Sequence, residues 1–117
     1  MLAKILVALV ALLHLYFLVL EMFLWTKPAG RRAFGTTAEM AEQSKVLAMN
    51  QGLYNGFLAA GLLWGLSLGA AGRSVIVFFL LCVIAAGVFG AVTASVKILF
   101  AQAVPGMIAL AVLLVSW

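Results

Sequence analysis

The sequence predicts an all-α membrane protein. The expected architecture is an antiparallel bundle of four transmembrane helices, with a short amphipathic helical segment between helices 1 and 2. Three observations carry this reading. First, 68% of the 117 residues are hydrophobic and only 9% are charged, against close to half and about a quarter in an ordinary soluble domain. Second, the apolar residues form runs of about the 20 needed to cross a bilayer. Third, only short segments join most of these runs, which makes successive helices antiparallel neighbours. A mean hydropathy of +1.29 leaves too little polar surface for a soluble enzyme, a disordered chain or a free nucleic-acid-binding domain. The partners this implies are the lipid bilayer and a small-molecule or lipid ligand, with no nucleic acid, and a homodimer is left open.

The elements follow in chain order within a single integral domain, residues 1–117. The first span is placed at 2–25, interrupted by Lys4, His14 and Glu21. A secretory signal is the alternative for this run, but no small-residue cleavage site follows it. Residues 26–45 are the only long polar stretch. Pro28 and Gly30 read there as a helix stop, and Thr36-x-x-Glu39 has the pattern of a capping box. Residues 37–45 are expected to lie as an amphipathic piece at the interface and lead into the second span, 46–69. A turn at 70–74 precedes the third span, 75–94. The fourth is placed at 100–117, with Pro105 in its first turns, where a missing amide costs little.

Basic residues set the expected orientation. Lys27, Arg31, Arg32, Lys45 and Lys97 fall on one side, and Lys4, Arg73 and the amino terminus on the other. The excess favours a cytoplasmic 26–45 segment with both termini outside. The expected location is the inner (plasma) membrane of a bacterium, as a multi-pass protein.

A charge at the centre of a span costs roughly 2.5–3.5 kcal/mol on insertion scales, so the polar residues inside the spans are informative. His14 and Glu21 are two helical turns apart and share a stripe of span one. Asn50, Gln51, Tyr54 and Asn55 occupy an arc of about 140° of span two. Thr93 and Lys97 close span three, and Gln102 opens span four. Because helix direction alternates, Glu21, Asn50 to Asn55, Thr93 with Lys97, and Gln102 fall at one depth, on the side of the basic loop. The expectation is a polar ligand pocket among the four helices, with Glu21 as its buried acid, Lys97 as its cationic partner and His14 deeper. Interhelical hydrogen bonds typically worth about 0.6 kcal/mol are the plain structural alternative.

Small residues mark close helix packing. Gly61, Gly65 and Gly69 share the face of Asn50 and Tyr54, and Gly90 lies on the stripe of Thr93 and Lys97. Gly52 and Gly56 form a second stripe, open to another helix or to a second copy. Lone His14 and lone Cys82 allow no multi-histidine site, cysteine cluster or intrachain disulfide.

These residues also carry a resemblance. His14-Leu15-Tyr16-Phe17 and Glu21-Met22-Phe23-Leu24-Trp25, the run from Asn50 to Gly61, and Lys97-Ile98-Leu99 through Gln102 and Pro105 resemble the small bacterial membrane proteins grouped as domain of unknown function 1304. The likeness covers essentially the whole chain and implies four transmembrane helices, without implying an activity. Leu13 is a departure, standing where the resemblance leads one to expect an acidic residue.

Three functions follow in order of preference. The first is a binding or transport module for a small polar ligand or lipid headgroup. The second is a regulatory subunit that partners through the Gly52 and Gly56 stripe and the basic segment. The third is a membrane enzyme or redox subunit with His14 and Glu21 as an acid–base pair. No nucleophile–base spacing or cofactor motif supports the last, no catalytic residue or metal ligand is assigned, and no cofactor is specified.

Overall fold

The computed structural model describes residues Met1–Trp117. The chain is all-helical. Helix α1 spans Leu2–Met22, α2 Pro28–Phe34 and α3 Ala38–Ser67. A 3-10 turn, Gly69–Gly72, leads into α4, Arg73–Thr93, and a π-helical turn, Leu99–Ala103, leads into α5, Val104–Ser116. Three stretches are long and apolar enough to cross a membrane: Leu2–Met22, Gly69–Thr93 and Leu99–Ser116. Helix α3 is not among them. Its 30 residues reach about 45 Å at 1.5 Å per residue, but Asn50, Gln51 and Asn55 lower its hydropathy.

Local chemistry sets the boundaries. Helix α1 stops three residues short of Trp25, where the amides of Phe23 and Leu24 both donate to the Val19 carbonyl. Pro28 then forces Lys27 into extended backbone, at φ −84° and ψ 160°. The expected stop at Pro28 and Gly30 is corrected here: the same proline starts a two-turn helix, because its fixed φ and missing amide suit a first helical position. Gly30 is buried, and a Cβ on it would overlap the Leu24 carbonyl. Gly35 closes α2 in the left-handed region at φ 65°, as glycine does readily.

The cap of α3 is displaced by one residue from the expected box. Thr37 Oγ1 accepts from the Met40 amide at 3.1 Å, so Thr37 is the capping residue, and Glu39 lies one residue too early to close a box with it. Residues 38–45 are the first turns of α3 itself; the separate short helix in this region is α2.

The chain forms two compact units, Met1–Ala11 with Leu58–Trp117, and Leu12–Phe57. In the first, Val7, Leu62, Ile76, Leu80, Val83, Ala109 and Leu113 are wholly buried. Glycines let its backbones approach: a Cβ on Gly72 would overlap the Gly65 carbonyl, and one on Gly87 would stand 2.6 Å from the Ala103 nitrogen. Gly61 faces Phe79, Gly65 faces Ile76 and Gly90 faces Ile98. Gly69 has nothing within reach and adopts φ 62°, so its place is in the turn, not in helix packing. Lys4 Nζ lies 5.1 Å from the centre of the Trp117 ring, and Arg73 Nε donates to the Trp117 carbonyl at 2.7 Å.

The π turn has a local cause. The Val104 amide donates to Leu99, five residues back, and Pro105 has no amide to offer the Ala101 carbonyl while its ring crowds that oxygen. The wider turn relieves the crowding.

Candidate ligand-binding site

The second unit, Leu12–Phe57, contains the end of α1, all of α2 and the first two-thirds of α3. Small residues put α1 and α3 in close contact. A Cβ on Gly52 would stand 2.5 Å from Met22 Cγ, 3.2 Å from Glu21 Cβ and 3.3 Å from the Leu18 carbonyl oxygen. One turn on, a Cβ on Gly56 would stand 2.8 Å from a Leu18 methyl. The stripe expected to face either another helix or a second copy is therefore covered by α1 of its own chain.

At this contact Asn55 Nδ2 donates to Glu21 Oε1 at 2.5 Å. Both side chains are buried, Glu21 at 7% exposure and Asn55 at 5%. A hydrogen bond to a charged acceptor contributes roughly 1.5–3 kcal/mol net, and leaving such a group unpaired costs more. The donation also fixes the Asn55 amide, whose oxygen is left as the acceptor end. Together the groups offer a fixed amide and a carboxylate able to take an amine, a hydroxyl, a cation or a proton.

The other expected site residues are distributed as follows. His14 is fully buried, its ring edge-on to Phe17 at 5.4 Å between centroids. Asn50, Gln51 and Tyr54 are exposed, so the expected 140° arc is divided, with Asn55 at its inward edge. In the first unit, Gln102 is buried in the π turn. Thr93 is exposed and its hydroxyl donates to the Phe89 carbonyl at 2.7 Å, a bond within its own helix. Lys97 is also exposed, and its backbone amide donates to Ser95 Oγ. No group of three or more His, Cys, Asp or Glu side chains is placed to hold a metal ion.

One polar contact of this unit escapes the sequence. Trp25 Nε1 donates to Ser44 Oγ at 3.1 Å, and Ser44 Oγ donates to the Met40 carbonyl. Trp25 also packs on Phe34 at 4.9 Å, tying the start of α3 to the α1–α2 connection. Ser44→Ala is expected to cost about 0.5–1.5 kcal/mol and to shift the emission of a variant retaining only Trp25. Unchanged emission and unfolding would remove this contact from the account.

Comparison with known proteins adds a family and a relative. The family described as Protein of unknown function (DUF1304) matches residues 8–114. The Uncharacterized protein YpaA of Lactococcus lactis subsp. lactis (strain IL1403) is 32% identical over 96 residues, which covers 80% of this chain and 81% of that protein. No solved structure matches.

Proposed function

We propose, from the premise that this chain belongs to the DUF1304 family, that it is a binding module of the bacterial inner membrane which takes a small polar molecule or a lipid headgroup at Glu21 and Asn55. The observation that carries this reading is the buried carboxylate held by a buried amide where Gly52 brings α1 and α3 together. Acids inside membrane helices are costly and typically functional. In this reading α3 is a fourth crossing. Its last 20 residues are enough to span the hydrocarbon core, and its exposed Asn50, Gln51 and Tyr54 lie near the end where water and headgroups are available. An even number of crossings puts both termini on one side. The basic 26–45 segment favours the cytoplasm for itself and the outside for the termini.

Partnering through Gly52 and Gly56 is disfavoured, because α1 occupies that stripe. The test is native mass spectrometry of protein released from membranes. The wild type is expected to retain a bound small molecule that Glu21→Gln loses, since glutamine still accepts from Asn55 but carries no charge. An identical adduct in the variant, or none in the wild type, overturns the role of Glu21.

A further inference from the structure

Four of the seven Lys and Arg residues, Lys27, Arg31, Arg32 and Lys45, fall between the end of α1 and the second turn of α3. Lys45 is paired with Glu42. Lys27, Arg31 and Arg32 have no ion pair. Arg31 and Arg32 lie in the last turn of α2, where they also offset the negative end of the helix.

The turn that closes α2 folds Thr36 back onto Arg31. The Gly35 and Thr36 amides both donate to the Arg31 carbonyl, the latter at 3.1 Å. On this turn Arg31 Nε and Thr36 Oγ1 are both shielded, and neither has a hydrogen-bond partner. Orphaned buried polar atoms are uncommon in folded proteins, and here two occur on one turn, with two further unpaired cations, Lys27 and Arg32, close in sequence. The complement of two such groups is an anion rich in acceptor oxygens.

Phe34, 40% exposed, packs against Trp25 beside these cations. Aromatic rings alongside Lys and Arg characterise elements that lie in the headgroup layer. We propose that the α2 turn binds the phosphodiester headgroup of an anionic phospholipid. Arg31 Nε and Thr36 Oγ1 donate to phosphate oxygens, Lys27 and Arg32 supply further positive charge, and Phe34 lies against the apolar part of the lipid. The aromatic surface and the position directly after the apolar helix α1 favour a lipid over a free anion. These residues are separate from Glu21 and Asn55, and this site does not rest on theirs.

Delipidated full-length protein in neutral detergent is titrated with phosphatidylglycerol or phosphatidylcholine, and bound lipid is counted by native mass spectrometry. Phosphatidylglycerol is expected to bind at least about ten-fold more tightly. The double variant Arg31→Gln, Arg32→Gln is expected to lose about 25-fold, from roughly five-fold per cation near an anionic surface. Arg31→Lys keeps the charge but removes the Nε donor, and Thr36→Val removes the hydroxyl; each is expected to lose several-fold. Lys4→Gln is expected to bind as the wild type does. Equal binding of the two lipids, wild-type binding by Arg31→Lys and Thr36→Val, or an equal loss in Lys4→Gln overturns the proposal. Displacement of phosphatidylglycerol by millimolar inorganic phosphate overturns it as well, by showing a free-anion site. Should the double variant fail to fold, Arg31→Lys and Thr36→Val decide.

Discussion

Asn55→Leu is expected to destabilise the protein by about 1–3 kcal/mol, the cost of leaving a buried polar partner unpaired, and by more if the Glu21 carboxylate stays charged. Glu21→Gln is expected to change stability by less than about 1 kcal/mol, because the Gln oxygen still accepts from Asn55 Nδ2. The measurement is reversible unfolding in mixed micelles, followed by tryptophan emission. Glu21→Leu combined with Asn55→Leu completes a double-mutant cycle, and its loss is expected to be smaller than the sum of the two single losses. Additive losses would mean that the two side chains act independently, which the contact between Asn55 Nδ2 and Glu21 Oε1 does not permit. Glu21→Gln, outside the cycle, separates folding from ligand binding, since it keeps the contact while removing the charge.

Gly72→Ala is expected to be the most disruptive single-methyl change in the other unit. The added carbon would overlap the Gly65 carbonyl, which is backbone and cannot rotate aside. Overpacking of a tight core typically costs about 1–3 kcal/mol, and a backbone obstacle belongs at the upper end. Gly69→Ala is a useful contrast. Its Cβ meets nothing, but φ 62° costs a side-chain-bearing residue roughly 1–2 kcal/mol. Thermal unfolding of the two variants in one detergent should rank Gly72→Ala below Gly69→Ala and both below the wild type. Parity between Gly72→Ala and the wild type would show that the Gly65–Gly72 approach is looser than described.

Much of the helical order is legible in the sequence because unbroken apolar runs report long helices directly. Helix α2 is not, since two turns hold too few residues for a periodicity, and Pro28 serves equally as the end of one helix and the start of the next. Thr36 and Thr37 are chemically near-equivalent caps, so their order is decided by the Gly35 turn that precedes them. At the candidate site, Glu21 and Asn55 each stand out as polar residues in apolar surroundings, but their pairing does not. At 100° per residue, the arc from Asn50 to Asn55 is wide enough that only one edge meets α1, and the close approach at Gly52 decides which edge. Charge complementarity nominates Lys97 as the partner of Glu21, whereas the side chain found on its carboxylate is the neutral Asn55. Arg31 and Thr36 are invisible as a pair until the α2 turn brings them together.

The five-residue turn before α5 has a consequence for how the sequence tolerates change in length. A π turn holds one more residue than the α-turn it replaces. Removing any one residue from 99–103 would let the helix wind regularly, because the wider turn takes up its extra residue within about one turn and leaves the azimuth of α5 nearly unchanged. Gly106, Ala109 and Leu113, now buried, would keep facing the same neighbours. A deletion there would therefore act locally on the turn, whereas a deletion within α5 itself would rotate every later residue by about 100°. Point substitutions in the same five residues change only what each side chain touches. The wider turn thus absorbs a change of one residue in length while the angular phase of α5 is kept.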